Sequence, residues 1–482
     1  KKIIDFKIKH NNMAQINETA LKTPGVYVNE ISLLPPIVAQ VETAIPAFIG
    51  YTEFSDATTQ RFKPVKIFSL LDYITQFGKG EEAEIAVTVT NASLPEITAV
   101  VVPALEHTLY HHIKMFFANG GSKCYIVSVG DYSETADAGD DTTPLGLLGG
   151  LKAVEAEDDP TLLVIPEAVL LDETGYTTVV QAMLKQCNDL QDRFSILDVL
   201  GGEEYTADIV SDHRDQVGNN FLNYGASYFP FLKTSLTPGF DDTKIKLTQS
   251  GGELNTKLLS DSVGSPAKTI KEKYNGMYNA IKQAIGEQYF TLPPSATIAG
   301  VYASVDGQRG VWKAPANVSL TSVIEPTVKI DNAKQDDMND NPATGKSINV
   351  IRSFTGKGIL VWGARTLEGN SSEWRYISVR RLFIMVEESV KKATAVFVFE
   401  PNDANTWTKV RAMIENYLTV LWRQGALAGA KPEHAFFVNV GLGKTMTAED
   451  ILNGKMIVEI GMAAVRPAEF IILRFSHKMQ ES

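Results

Sequence analysis

The strongest constraint on the fold is an alternation of helix-like and strand-like segments between residues 145 and 300. The helix-like segments are "LGLLGGLKAVEAE", "YTTVVQAMLKQCNDLQD" and "PAKTIKEKYNGMYNAIKQAIGEQ". The apolar runs among them are "TLLVIP", "RFSILDVL" and "YGASYFPFL". Alternation of this kind favours βαβ units with a mostly parallel sheet and helices on both faces. The sequence therefore predicts an α/β core within a chain that is α+β overall.

Two helices are expected before this region. In the first, Leu70, Leu71, Ile74 and Phe77 recur at helical spacing and Gly78 ends the helix. In the second, Leu105, Leu109, His112 and Phe116 share one helical face. Between them, residues 79–100 are acidic and then rich in Val and Thr, which is typical of an insertion or a hairpin. Residues 331–347 are polar and rich in turn-forming residues, which predicts a loop.

The last third has a different pattern. "EWRYISVRRLFIMVEESVKKATAVFVFEP" predicts a helix followed by an apolar strand. "NTWTKVRAMIENYLTVLWRQGAL" predicts a long amphipathic helix, with an apolar stripe of Trp407, Val410, Ile414, Tyr417, Leu418, Leu421 and Trp422. "HAFFVNV", "KMIVEIGMAAV" and "AEFIILRFSHK" are then expected to be three strands.

Composition narrows the class of protein. The 482 residues carry a net charge of −12, which argues against a general nucleic-acid binder. No apolar run approaches the ~18–20 residues that span a bilayer. Cys124 and Cys187 are the only cysteines, so we expect folding in a reducing compartment and assembly in the cytoplasm. Met13 resembles a natural start, which would make residues 1–12 an extension.

Two Gly-Lys-Ser/Thr triplets raise the question of nucleotide binding. They are Gly345-Lys346-Ser347 and Gly443-Lys444-Thr445. A P-loop needs another glycine five positions earlier so that the backbone can wrap the phosphates. Those positions hold Asp340 and Val438, so we interpret both triplets as turns.

Metal and catalytic motifs are incomplete. Asp337, Asn339 and Asn341 match alternate calcium ligands, but the sixth and twelfth loop positions hold Pro342 and Ile348 instead of glycine and glutamate. His107 and His111 are four apart, yet the H-E-x-x-H glutamate is missing. No G-x-S-x-G elbow occurs. We therefore expect neither a metal, nor a cofactor, nor a catalytic site.

Seven stretches nevertheless share one resemblance. They are "TPGVYVNEIS", "AIPAFIGYTE", "FFANGGSKCYIVSVG", "INVIRSFTGKGILVWGARTL", "EWRYISVRRLFIMVEESV", "FVFEPNDANTWTKVRAMIENYL" and "GALAGAKPEHAFFVNV". In this order they resemble the sheath proteins of contractile tails: phage tails, R-type bacteriocins, type VI secretion and extracellular contractile injection systems. Residues 79–100 and 331–347 do not match and are expected to vary with subtype.

The resemblance implies a division of the chain. An N-terminal arm would comprise residues 13–40, and residues 41–365 would form an outer α/β domain of subtilisin-like fold without protease residues. An α+β inner domain would comprise residues 366–460 and line an inner tube. Residues 461–482 would be a C-terminal arm. Stretches 32–36 and 464–467 are expected to act as hinges.

The resemblance also implies the partners. Subunits would stack as sixfold rings around a tube protein, capped by baseplate and terminal proteins, and their arms would exchange strands with neighbours. Alternating side chains favour this role for the arms, whose candidate residues are Val26, Tyr27, Val28 and Ile31, and Phe470, Ile471, Ile472, Leu473, Arg474 and Phe475. Lys409 and Arg411 are candidates for facing the tube. The alternatives are an α/β-hydrolase-like or subtilisin-type enzyme and a monomeric ligand-binding module.

Overall fold

A nine-stranded sheet forms the centre of the molecule. The computed structural model describes residues 37–56, 60–142 and 145–474. In spatial order the strands are β14 (Val318–Ser319), β17 (Gly358–Val361), β16 (Ile348–Phe354), β8 (Gly225–Phe229), β7 (Phe194–Asp198), β6 (Leu162–Val164), β1 (Pro46–Gly50), β5 (Cys124–Ser128) and β2 (Val65–Ile67). From β5 to β16 every pair is parallel, and antiparallel strands close both edges. The predicted parallel α/β core is confirmed.

The central strands are buried on both faces, as the near-continuous apolar runs require. The helices of this part are α1 (Leu70–Phe77), α2 (Leu109–Ala118), α3 (Gly146–Val154), α4 (Glu173–Leu190), α5 (Ala207–Gln216), α8 (Ser295–Arg309) and α9 (Asn332–Asn339). A three-stranded sheet of β13 (Thr291–Leu292), β9 (Leu232–Thr234) and β15 (Val323–Pro326) lies beside them.

The helix predicted from Leu70 to Phe77 is confirmed, although its best-buried residues are its aromatic rings, and the prediction that residues 331–347 are a loop is wrong in part. Helix α1 starts after Ser69, whose side chain accepts from Asp72 N, and it buries Tyr73 and Phe77 while Leu71 is 70% exposed. The rings of Tyr73 and Phe77 lie one turn apart, and the face that carries them packs into the core. Residues 331–347 are not all loop, because Asp331 caps α9 and Met338 is fully buried on it. One buried side chain and a cap are enough to hold a short polar helix.

A small separate core lies beside the main sheet. Its three-stranded sheet contains β10 (Ile245–Thr248), β3 (Ile85–Val89) and β4 (Ile97–Val101), and it is accompanied by β11 (Ser262–Val263), β12 (Lys268–Thr269), α6 (Ile270–Lys273) and α7 (Asn275–Gly286). We call this the satellite unit, residues 85–101 and 245–286. Strands β3 and β4 form the hairpin expected in residues 79–100, and β10 pairs with β3 in parallel. Two segments far apart in sequence thus share one core.

The last third builds another core. Its elements are α10 (Ile377–Thr394), α11 (Ala404–Arg423), α12 (Pro432–Ala435), β18 (Phe436–Val440), α13 (Ala448–Leu452) and β19 (Val458–Met462). The amphipathic stripe on α11 is confirmed: its five central members are buried, and Trp407 and Trp422 are half-buried. Strands β18 and β19 pair as an antiparallel hairpin.

The other two strands expected in the last third do not occur among the residues that the structure describes. Residues 395–399 form a short 3-10 turn (Ala395–Phe397) followed by coil, although their composition favours a strand. Residues 468–474 of "AEFIILRFSHK" have no strand partner in the described chain. A strand exists only where another strand satisfies its backbone, so composition alone could not decide either case.

Candidate assembly surface

An apolar groove of about 950 Å³ runs alongside β19. Strands β18 and β19 form a sheet of only two strands among the described residues, so β19 has an open edge opposite β18. The side chains that line the groove are Met456, Val458, Ile460 and Met462 on the hairpin side, and Phe383, Val386, Val390, Val410 and Ile414 on α10 and α11. An open strand edge over an apolar floor can accept an additional strand.

One side of the groove is lined by two exposed apolar residues, Val398 and Phe399, and exposed Val396 lies just before them in the chain. We call these three residues the lip; the exposures of Val396, Val398 and Phe399 are 62%, 61% and 103%. Phe399 also has φ +71°, a left-handed conformation that costs a bulky residue free energy. Sequence reasoning missed the lip because its composition predicted a strand.

Asn402 fixes the chain just beyond the lip. Its Nδ2 donates to the Lys455 carbonyl at 2.9 Å, and its Oδ1 accepts from Trp407 Nε1 at 2.7 Å. These bonds tie the segment before α11 to the segment before β19. The lip therefore keeps a defined position at the groove.

The sequence-predicted arm residues fall into two groups. Val26, Tyr27, Val28, Ile31 and Phe475 lie outside the described residues. The apolar run Phe470–Leu473 is 72–79% exposed, and Arg474 is exposed too. Four consecutive exposed apolar side chains without a strand partner are unusual on an isolated soluble protein. Their predicted role in neighbouring subunits remains an expectation.

The predicted tube-facing residues lie together on α11. Lys409 and Arg411 are both exposed. Arg411 Nε donates to Glu415 Oε1 at 2.7 Å, a contact one helical turn apart that neutralises part of its charge. Lys409 is the more available cation of the two.

The Gly-Lys triplets have structural explanations. Gly345 and Gly443 both have positive φ, +70° and +75°, as tight turns require. Lys346 is only 4% exposed, and its Nζ donates to the Arg214 carbonyl at 2.5 Å. Burial lowers the pKa of Lys346. Its ammonium group is occupied inside the protein.

The candidate metal ligands are also engaged elsewhere or buried. Asp337 pairs with Arg214 at 3.2 Å, and Asn341 Oδ1 accepts from the N–H groups of Ala343 and Thr344. Burial lowers the pKa of His111 to about 4. Within the described ranges, no group of three or more His, Cys, Asp or Glu residues could hold a metal ion.

One buried network resembles part of a protease site. His213 Nε2 lies 2.7 Å from Ser227 Oγ, and His213 Nδ1 lies 3.2 Å from the Tyr176 hydroxyl. However, Ser227 and His213 are 0% and 1% exposed, so no substrate can reach them. The Asp198 carboxylate, which a triad would place on the histidine, accepts from Ser295 N instead. The network joins α4, α5 and β8, and its burial argues against a protease site at His213 and Ser227.

Comparisons with known proteins show which family the chain resembles. Residues 261–367 match the phage tail sheath protein central domain, and residues 370–478 match the phage tail sheath C-terminal domain. The tail sheath protein of Enterobacteria phage T4 is 28% identical over 130 residues, which is 26% of this chain and 19% of that protein. The tail sheath protein of Vibrio phage KVP40 is 28% identical over 131 residues, 27% and 19% of the two chains. The alignments thus span about a fifth of these curated relatives.

Solved structures extend the similarity along the chain. The contracted sheath of the extracellular contractile injection system PVC matches at 32% identity and a TM-score of 0.65, covering 95% of this chain and 99% of that one. The contracted helical sheath of the anti-feeding prophage matches at 33% identity and a TM-score of 0.64, covering 95% and 100%.

The fold and these matches define a structural protein of contractile particles. The chain belongs to the contractile tail sheath family and is a contractile sheath subunit. Among its described residues, no helix has the length and apolar character needed to cross a membrane.

Proposed function

We propose that the protein polymerises as stacked sixfold rings around an inner tube, and that its terminal arms add strands to the sheets of neighbouring subunits. The single observation that carries the proposal is the apolar groove beside the open edge of β19. In the same chain, Phe470–Leu473 exposes four apolar side chains, and this segment pairs with no strand of the described residues. A neighbour's arm in the groove satisfies both surfaces.

Side-chain periodicity supports the pairing of the C-terminal arm with β19. In a strand, Ile471, Leu473 and Phe475 share one face, and along β19 the groove-lining residues also alternate: Val458, Ile460 and Met462. About six residues would form hydrogen bonds worth ~1 kcal/mol each, and three buried side chains would add ~1.5–3 kcal/mol each. These contributions are large enough to keep subunits linked while rings rotate.

We infer assembly with a baseplate from a related solved structure. A chain of the anti-feeding prophage baseplate, solved with sixfold symmetrisation, is 34% identical over 95% of this chain. We extend the sixfold arrangement, the baseplate contact and a terminal cap to this protein. The particle would assemble in the cytoplasm and act as a phage tail or as a released injection particle.

The domain division is part of the proposal. The main sheet and its core support an outer α/β domain of residues 41–365, with a subtilisin-like arrangement. The second core supports an inner domain of residues 366–460, which would present α11 with Lys409 and Arg411 to the tube. The arms would be residues 13–40 and 461–482.

Contraction in this scheme needs no nucleotide. The extended lattice would be a metastable packing whose free energy is loaded during assembly. A difference of about 1.4 kcal/mol per subunit is tenfold in an equilibrium constant, and it accumulates over coupled subunits. The occupied ammonium group of Lys346 is consistent with this view.

Negative-stain microscopy of the purified protein, alone and with its tube protein, tests the proposal. We expect long tubes from the unmodified chain. Ile471→Asp combined with Leu473→Asp should abolish them. Phe68→Asp with Leu94→Asp adds the same charge at comparably exposed sites and serves as the control. Normal tubes from the arm variant would refute strand exchange by the C-terminal arm.

A further inference from the structure

The root of the C-terminal arm is anchored to the body of its own subunit by one side chain, Glu469. Its carboxylate accepts from Arg365 Nη2 at 2.8 Å and from Arg365 Nε at 3.0 and 3.2 Å. Asn339 Nδ2 donates to it at 2.9 Å, and the Tyr376 hydroxyl donates at 3.3 Å. The partners come from α9, from the segment after β17, and from the residue before α10.

Arg365 is a rigid, buried partner. Its side chain is 3% exposed, and its Nη1 also donates to the Asn339 carbonyl at 3.0 Å. Asn349 holds its backbone from both directions, because Oδ1 accepts from Arg365 N and Nδ2 donates to Arg365 O, both at 2.8 Å. The only other carboxylate near it within the described residues is Asp340, at 3.8 Å. A buried guanidinium needs a close counter-charge, and Glu469 supplies it.

The rest of the root is weakly held. Val465 N donates to the Ala426 carbonyl at 3.2 Å, and the described residues from 466 to 474 donate or accept no further backbone–backbone hydrogen bond. Residues 467–470 line an open cleft of about 440 Å³. Glu469 is therefore the last fixed point of the chain before the apolar run that starts at Phe470.

The contacts of Glu469 place the hinge of the C-terminal arm further along the chain than residues 464–467. Residues 464–467 were expected to be mobile, but Val465 and Glu469 tie this stretch at both ends. We propose that the Arg365–Glu469 ion pair is a positioning contact that sets the point and direction at which the C-terminal arm leaves its subunit, so that the pivot lies beyond Glu469. This inference rests on the proposed strand exchange.

The physical effect is preorganisation. With Glu469 fixed, Phe470–Phe475 starts from one place and searches a small volume for a neighbour's groove. Without the ion pair, the free segment starts at Val465 and gains four residues, and the entropy lost on docking rises accordingly. The expected consequence is weaker assembly from a subunit whose fold is unchanged.

The test compares Glu469→Gln with the unmodified chain and with Glu373→Gln, a control that removes the same charge at an exposed site. Sedimentation measures the concentration at which half of the protein is polymerised. We expect Glu469→Gln to raise it about tenfold, Asn339→Ala to raise it less, and the control to leave it unchanged. Hydrogen exchange of the Val465 amide, which donates to the Ala426 carbonyl, should accelerate, and exchange in α11 should stay constant.

The outcomes separate this inference from the proposal beneath it. If Ile471→Asp with Leu473→Asp abolishes tubes but Glu469→Gln assembles like the control, the ion pair does not position the arm and only the inference fails. If the arm variant assembles normally, strand exchange fails and the inference fails with it. Should Glu469→Gln not fold, Asn339→Ala decides: assembly and exchange equal to the unmodified chain would overturn the inference.

Discussion

Asp198 Oδ1 accepts a hydrogen bond of 2.7 Å from the backbone N–H of Ser295 and so joins the end of β7 to the first turn of α8. Asp198 is 5% exposed, and burial raises the pKa of its carboxyl to about 7. The Glu167 carboxylate likewise binds the start of a helix, because it accepts hydrogen bonds from Thr108 N and Leu109 N at the beginning of α2. Burial raises the pKa of Glu167 to about 7.

These raised pKa values predict how stability depends on pH. The folded protein keeps protons that the unfolded chain has already lost, so stability is full below the ordinary carboxyl pKa and falls as pH rises through about 7. Asp198→Asn keeps an acceptor for Ser295 and cannot ionise. It should add on the order of 2 kcal/mol at about pH 8 and much less at about pH 4. Chemical denaturation at both pH values checks this, and an equal effect at the two would contradict it.

A buried ion pair connects the last third to the main sheet. Arg381 Nη2 lies 2.5 Å from Asp306 Oδ2, with exposures of 3% and 6%, and Thr43 Oγ1 donates to the same oxygen at 2.6 Å. Asp306→Ala leaves the guanidinium buried without a counter-charge and should cost ~3–5 kcal/mol. Asp306→Leu with Arg381→Met should recover most of the loss. Urea denaturation measures both variants, and a double variant as unstable as the single one would show that the pair itself is required.

For Phe399 in the lip we predict opposite effects on the stability of the subunit and on tube formation. Phe399→Gly removes a strained left-handed phenylalanine that is fully exposed in the single subunit. It should stabilise the isolated subunit by about 1 kcal/mol. It should also weaken tube formation if the ring packs on a neighbour. Leu94→Gly is a control at an exposed residue without positive φ. Thermal unfolding and microscopy read the two effects, and unchanged assembly would exclude a contact at the lip.

The two triplet lysines should behave differently. Lys346→Met loses the hydrogen bond to Arg214 and leaves a buried carbonyl unsatisfied, at a cost of ~1–3 kcal/mol. Lys444 is exposed, so Lys444→Ala should change stability by less than about 0.5 kcal/mol. When contraction is measured in the absence of nucleotide, assembled particles of either variant should contract like the unmodified ones. A contraction defect in Lys444→Ala would reopen the nucleotide hypothesis.

Charge reversal on α11 tests the tube contact. Lys409→Glu with Arg411→Glu should shorten sheaths formed on tubes. Since Arg411 already contacts Glu415, its reversal also creates repulsion within the helix, and Lys409→Glu alone is the cleaner variant. Sheath length in micrographs is the measurement. Normal-length extended particles from the double variant would remove α11 as a tube contact.

The sequence predicted those features that depend on local pattern. The parallel core and the stripe on α11 arise from apolar periodicity, which is visible in one chain. The turn after Ala395 was missed because β-branched and aromatic residues favour a strand regardless of whether a partner exists. The Arg365–Glu469 contact joins residues 104 positions apart, and no local signal marks it. The apolar groove was missed for the same reason, because it forms between α10, α11 and β19.

The satellite unit has a consequence for how such chains diversify. Because it owns a hydrophobic core distinct from that of the main sheet, its two segments can lengthen, shrink or be replaced together without repacking the centre of the molecule. In a particle made of many copies, a single exchange at this place would repeat over the whole length. It is thus the place at which a foreign module could replace native residues with the least change to the main core.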